Sequence, residues 1–91
     1  MKESEGKVDY TEIDWDYLDG ICNRISSNTK YPKYNWQKDI DIKELAAACI
    51  RHARKILQPV EGDVETIKDH TFAIGCNAMF MHYQNKKDEK V

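Results

Sequence analysis

Hydrophobic residues recur at intervals of three and four in three stretches of this chain, which is the spacing of one face of an α-helix. The first stretch predicts a helix over about residues 14–27, with Asp14 as its N-cap. The second predicts a helix that begins at Asp41, with Glu44 placed as in a capping box, and that ends before Pro59. The apolar faces consist of Trp15, Leu18, Ile21, Cys22 and Ile25 in the first helix and of Leu45, Ala46, Cys49, Ile50, Ala53, Ile56 and Leu57 in the second.

A third helix is predicted over residues 66–85, after a turn at Gly62 and with Asp63 as its N-cap. Its middle is apolar nearly all round, which indicates that both of its sides are covered. Three helices of one chain do not easily cover both sides of one of them, so we expect a second copy to pack there. The residues predicted at that contact are Ala73, Gly75, Cys76, Met79 and Phe80. The predicted fold is all-α, a compact bundle of about three helices completed by homo-oligomerisation, as a homodimer or a dimer of dimers.

The length of 91 residues predicts a single domain over residues 1–91, with an ordered core at about 9–85 and flexible, polar ends. The 14 basic and 16 acidic residues give a slightly acidic chain. A long nucleic acid is therefore not an expected partner, because binding it requires a basic excess. The sequence has no apolar run of membrane-spanning length and no secretory signal, so we expect no membrane partner and a cytoplasmic protein.

Polar residues interrupt the apolar faces of the second and third helices. His52 shares the stripe of Leu45 and Ile56, while His70 and Asn77 are seven residues apart and therefore on one face. A lone histidine in such a place can be a core residue with a satisfied hydrogen bond. An unpartnered buried polar group costs about 1 to 3 kcal/mol, so three of them predict a shared network or pocket.

The loop between the first two helices, "KYPKYNWQKD" at residues 30–39, is rich in aromatic rings and lysines. Aromatic faces stack on nucleotide bases, with a contribution of about 1 to 3 kcal/mol per base. Arg51 and Lys55 lie one turn apart beside His52 and are candidate phosphate ligands, although cations in that position can also form an ordinary solvated face. The two groups together predict a site for a small nucleotide.

Four segments in order, "DWDYLDGI", "KYPKYNW", "AACIRHARKIL" and "DVETIKDHTFAIGCNAMF", resemble the family known as dATP/dGTP diphosphohydrolase, N-terminal. The family pattern has a KYxxxNW element, an RH dipeptide and a DxETxxxH element followed by Asn. These elements correspond to Lys30, Tyr31, Asn35 and Trp36, to Arg51 and His52, and to Asp63, Glu65, Thr66, His70 and Asn77. Ser27, Asn28 and Ile67 stand where the family usually has Gly, Ala and Gly. The resemblance implies a nucleotide ligand and a viral or prophage setting, hence the cytoplasm of a bacterial host.

Three functions remain open from the sequence. We favour a phage-type protein that sequesters a nucleotide signal, such as a cyclic dinucleotide made by bacterial anti-phage defence, with no metal or other cofactor. The alternatives are a metal-dependent dATP/dGTP diphosphohydrolase and a structural or protein-interaction module. The predicted nucleotide-binding residues are Lys30, Tyr31, Asn35, Trp36, Arg51, His52, Lys55, Thr66, His70 and Asn77. For an enzyme, we expect Asp63, Glu65 and Asp69 to hold Mg²⁺ or Mn²⁺.

Overall fold

The computed structural model describes residues 6–89, which form three α-helices and no strand. The helices are α1 (Trp15–Ser26), α2 (Ile42–Leu57) and α3 (Ile67–Glu89), with a short 3₁₀ helix, Asn35–Gln37, between α1 and α2. The predicted all-α bundle of three helices is confirmed. Within the described part of the chain, no helix is long and apolar enough to cross a membrane. The sequence predicts that both ends are flexible. Residues 1–5 and 90–91 of these ends lie outside the described residues.

The helix α3 is the centre of the bundle. Both α1 and α2 pack on it, and along the described residues they do not pack on each other. Ala73 and Cys76 of α3 are buried inside the single chain. At Gly75, where we predicted the approach of a second copy, the close neighbours are Tyr17 and Ile21 of α1. Ala73, Gly75 and Cys76 are therefore covered within one chain, whereas Met79 is 37% exposed. The packing of a second copy on α3 stays a prediction.

The loop before α2 covers the C-terminal half of α3. The Trp36 ring stacks on Phe80 with centroids 5.3 Å apart and meets Tyr83 edge-on at 5.1 Å. The buried side chain of Gln84 donates a hydrogen bond to the Lys38 carbonyl at 2.7 Å. Phe80, which was also assigned to the contact with a second copy, is thus packed against its own loop.

Two predicted N-caps are confirmed. The Asp14 carboxylate accepts hydrogen bonds from the backbone N–H groups of Asp16 and Tyr17 at the start of α1. The Asp41 carboxylate accepts one from the backbone N–H of Lys43 at the start of α2. These bonds satisfy donors that a helix leaves free in its first turn.

The predicted N-cap of α3 is wrong. The helix begins at Ile67, and the capping residue is Thr66, whose hydroxyl accepts from the Asp69 N–H at 3.2 Å. The Asp69 carboxylate in turn accepts from the Thr66 N–H at 2.9 Å, which completes a capping box. Asp63 lies three residues before this cap, so its carboxylate is available for another role.

The other end of α3 reaches Glu89, past residue 85 where the sequence pattern predicts it to stop. The Lys87 ammonium donates to the Gln37 carbonyl at 3.0 Å and to the Asp39 carboxylate at 2.6 Å. These contacts hold the charged last turns of the helix against the loop, which a local pattern of apolar residues does not reveal.

Candidate functional site

Two histidines from different helices meet beside the N-terminal end of α3. The Nδ1 atoms of His52 on α2 and His70 on α3 are 2.8 Å apart. His70 is 2% exposed and His52 is half-buried. A contact of this length between ring nitrogens requires one N–H and one lone pair, so one proton lies between the two rings. Two of the three polar residues predicted to share a network, His52 and His70, therefore do so.

Asp63 fixes the orientation of the buried ring. Its Oδ2 atom accepts a hydrogen bond from His70 Nε2 at 2.8 Å, and its Oδ1 atom accepts one from the Glu65 backbone N–H at 3.0 Å. The Glu65 N–H bond and the His70 bond hold the pKa of the Asp63 carboxyl below its usual value. An ionised carboxylate behind Nε2 leaves Nδ1 of His70 directed at His52, which is how proteins commonly orient a histidine for a metal ion.

Glu65 adds a carboxylate to the histidine pair. Its Oε2 atom lies 3.6 Å from His70 Nδ1 and 3.8 Å from His52 Nδ1. Its Oε1 atom accepts a hydrogen bond from Arg24 Nη1 of α1 at 3.0 Å. Arg24 therefore holds Glu65 in place, and one carboxylate oxygen is left facing both imidazoles.

The ligand atoms of His52, Glu65 and His70 all lie within 4.8 Å of one another, close enough for one metal ion to bind all three. Imidazole nitrogens suit transition metals such as Zn²⁺ or Fe²⁺, whereas Mg²⁺ prefers oxygen ligands. A cation bound here would replace the proton that lies between the Nδ1 atoms. We call these three residues the histidine cluster.

The protonation of His52 suits a metal ligand, which must be neutral. Burial is the main cause that lowers the pKa of the His52 imidazole, and the positive charges of Arg24 and Lys55 lower it further. The Glu65 carboxylate opposes these effects, and His70 adds to them. The net result is a His52 side chain that loses its proton more readily than an exposed histidine.

The three carboxylates predicted to hold a metal ion in an enzyme have different roles in the structure. Glu65 belongs to the histidine cluster, and Asp63 lies behind it as the partner of His70. Asp69 and Thr66 are occupied in the capping box of α3. The sequence-based choice of carboxylates overlooked that the two histidines can be metal ligands themselves.

The predicted nucleotide residues do not all lie together. The loop packs on α3 at Phe80 and Tyr83, and a helix rises about 1.5 Å per residue, so Phe80 is roughly 15 Å along the axis from His70. Asn77, seven residues after His70, is half-buried about two turns away. Of the remaining predicted residues, Lys55 is half-buried near His52, Arg51 and Lys30 are exposed, Tyr31 is 48% exposed, Asn35 begins the 3₁₀ helix and Trp36 packs on α3.

Sequence reasoning also missed Arg24. The residue lies in the last turn of α1, where a basic side chain is ordinary, and no spacing relates it to Glu65, which is 41 residues away. Only the packing of α1 on α3 brings the pair together.

The family model described as dATP/dGTP diphosphohydrolase, N-terminal, matches residues 1–91. The chain belongs to this family. The resemblance noted in the sequence is thereby confirmed. In this dATP/dGTP diphosphohydrolase N-terminal domain, the RH and DxETxxxH elements meet in the histidine cluster, whereas the KYxxxNW element packs further along α3. The comparisons with curated proteins and with solved structures give no match.

Proposed function

We propose that the chain is a metal-dependent hydrolase module for dATP or dGTP, with the metal ion held by His52, Glu65 and His70. The observation that carries this proposal is the convergence of two imidazole nitrogens and one carboxylate oxygen within 4.8 Å. The family description, which names both nucleotides and a diphosphohydrolase activity, supports the same reaction class.

In this proposal each residue of the site has a distinct task. Asp63 orients His70, and Arg24 orients Glu65, so that the ligand atoms stay directed at one point. A bound metal ion would neutralise phosphate charge and activate water. Arg24, whose side chain is 35% exposed, and Lys55 place positive charge at the rim, where a triphosphate would lie.

The reaction class is cleavage between the α- and β-phosphates. Water adds to the α-phosphorus, the bond to the bridging oxygen breaks, and the products are a deoxynucleoside monophosphate and pyrophosphate. One pyrophosphate is formed for each monophosphate, so equal amounts of the two products identify this reaction.

Sequestration of a nucleotide signal, such as a cyclic dinucleotide, is the second candidate. It is favoured by the exposed ring of Tyr31, which has the ammonium groups of Lys30 and Lys38 each 5.8 Å from its centroid. An exposed ring with lysines around it suits a flat, anionic ligand and requires no metal. The histidine cluster has no part in this candidate, which is why we place it second.

The test incubates the full chain with dATP, dGTP or a cyclic dinucleotide, in the presence of Zn²⁺, Mn²⁺ or Mg²⁺ or of a chelator. We expect equal amounts of monophosphate and pyrophosphate from dATP or dGTP with a transition metal, and no product with the chelator. His70→Asn should abolish product formation, whereas His82→Gln, which changes the exposed histidine of α3, should not.

The other outcomes separate the candidates. A rise in melting temperature with a cyclic dinucleotide in chelator, followed by recovery of the intact ligand, would favour sequestration. Neither product nor a thermal shift with any nucleotide would favour a structural or protein-interaction role.

A further inference from the structure

Residues 8–16, which lead into the start of α1, form an exposed surface that is both apolar and acidic. Val8, Tyr10, Ile13 and Trp15 are between 43% and 70% exposed. Acidic residues alternate with them at positions 9, 12, 14 and 16, and residues 8–16 contain no lysine, arginine or histidine. Exposed apolar groups among charges of one sign are typical of a surface that binds a partner. We call residues 8–16 the acidic segment.

The loop after α1 carries the opposite charge. Residues 27–38 contain three lysines and no acidic residue. The rings of Tyr31 and Tyr34 are 48% and 59% exposed. The Lys33 ammonium lies 5.2 Å from the Tyr34 centroid, and two further lysine ammonium groups each lie 5.8 Å from the Tyr31 centroid. We call residues 27–38 the basic loop, a surface of aromatic rings with positive charge around them.

The basic loop is held in one shape by its packing on α3. The Trp36 ring stacks on that helix, and the Lys38 carbonyl accepts a hydrogen bond from Gln84. Tyr34 has a φ of 67°, in the left-handed region that residues other than glycine seldom adopt. The fold therefore maintains an unfavourable backbone angle while it leaves the Tyr34 ring exposed. A loop that is already fixed loses little conformational entropy when a partner binds it.

The two surfaces do not pair within one chain. The part of α1 that lies between them, residues 17–26, is about 15 Å long. Among the described residues, no hydrogen bond, ion pair or cation–π contact joins the acidic segment to the basic loop. Asp14 caps α1, and Asp16 lies 3.5 Å from the Lys68 ammonium. Asp9 and Glu12 are therefore the exposed acids of this segment that can meet a partner.

We propose that the acidic segment of one copy binds the basic loop of a second copy, and that two such contacts form a two-fold homodimer. A second copy is the partner that the sequence supplies, because each chain carries both complementary surfaces. Two-fold pairing uses all four surfaces and closes the assembly. Exposed ion pairs alone contribute little, so the apolar side chains of the segment must also cover the rings of Tyr31 and Tyr34.

This pairing is independent of the hydrolase activity and of the second copy that the sequence predicts on α3. It would cover the Tyr31 ring, so the dimer and nucleotide sequestration at that ring exclude each other.

Light scattering of the full chain at micromolar concentrations and low ionic strength tests the pairing. We expect twice the molar mass of the single chain, and a dissociation constant that rises with salt because exposed charges are screened. Asp9→Lys with Glu12→Lys reverses the charge of the acidic segment, and Lys30→Glu with Lys33→Glu reverses that of the basic loop. Each double variant alone should raise the dimer dissociation constant by about a hundredfold or more, because like charges then face each other.

A mixture of the two double variants in equal amounts should form a dimer again, because each variant then offers the charge that the other one lacks. This recovery also shows that both variants are folded. The matched controls reverse as many exposed charges elsewhere, in Glu61→Lys with Asp88→Lys and in Lys43→Glu with Arg54→Glu. Both controls should remain dimeric on their own.

Three results would overturn the proposal. They are a wild-type chain that stays monomeric up to about 100 μM, a dimer that persists in both double variants, and a mixture of these variants that stays monomeric. Loss of the dimer in either control would place the interface elsewhere and overturn it as well. A molar mass that keeps rising beyond two copies would indicate open head-to-tail chains and would contradict the two-fold pairing.

Discussion

Asp63 holds two groups of the site at once, the ring of His70 and the backbone of Glu65. We predict that Asp63→Asn lowers the affinity for Zn²⁺ or Mn²⁺ by about 10- to 100-fold, because a neutral amide orients the imidazole less firmly and makes it a weaker ligand. Competition with a chromogenic chelator measures the change. Asp39→Asn removes a carboxylate bound to Lys87 instead, and we expect it to leave the metal affinity unaltered. Equal affinities for wild type and Asp63→Asn would contradict the orienting role.

His52 gives the free energy of unfolding a defined dependence on pH when no metal is bound. Its folded pKa lies below the ordinary value of 6.5, chiefly because of burial, so the unfolded chain takes up this proton first as the pH falls. Stability is therefore lost as the pH drops from about 6.5 towards the folded pKa. We predict that urea unfolding in chelator shows this loss and that His52→Gln reduces it. His82→Gln should keep the wild-type profile, and a profile unchanged by His52→Gln would show that another group causes the loss.

The contact between α1 and α3 depends on Gly20, whose backbone has the ordinary conformation of an α-helix. A methyl group on Gly20 would run into the ring of Phe72. Gly→Ala inside a helix usually stabilises by up to about 1 kcal/mol. Here we predict that Gly20→Ala lowers the free energy of unfolding by about 1 to 3 kcal/mol, because overpacking forces the ring to move. In the double variant with Phe72→Leu, most of this penalty should disappear, and a double-mutant cycle by urea unfolding measures the difference. If the free-energy changes of the two substitutions simply add, the contact between Gly20 and Phe72 is contradicted.

The positions of the three helices could be predicted well from the sequence. The starts of α1 and α2 follow from local signals, since Asp14 and Asp41 cap the helices that immediately follow them. The start of α3 could not be chosen correctly, because Asp63 and Thr66 are both suitable caps in sequence. What excludes Asp63 is its bond to His70, a tertiary contact.

The candidate site could be predicted only in part, because tertiary contacts complete it. The inward stripe of α2 and the apolar surroundings in α3 indicated that His52 and His70 meet. The contribution of Glu65 depends on the loop after α2, and that of Arg24 on the packing of α1, neither of which has a local periodicity. Sequence reasoning therefore recovered the two histidines, named Glu65 only among three candidate carboxylates, and missed Arg24, which holds Glu65 in place.

Across the whole molecule, the histidine cluster and Arg24, which binds its Glu65, form a place where side chains of all three helices meet. Arg24 comes from α1, His52 from α2 and His70 from α3, while α1 and α2 do not pack on each other along the described residues. Glu65 contacts all three side chains. A ligand that binds this cluster therefore stabilises the arrangement of the entire bundle, since it acts on both helix pairs together.

A metal ion should accordingly raise the melting temperature of the whole chain in one cooperative transition. At a concentration 100 times its dissociation constant, a ligand specific for the folded state adds about 2.7 kcal/mol. For a domain of this size each kcal/mol corresponds to about 4 to 8 °C, so we predict a rise of roughly 10 to 20 °C with Zn²⁺ or Mn²⁺ that a chelator reverses. The rise should disappear in His52→Gln and His70→Asn and persist in His82→Gln, because His82 is exposed and lies outside the cluster. An equal rise in His70→Asn would mean that the metal binds somewhere else, whatever activity the protein shows.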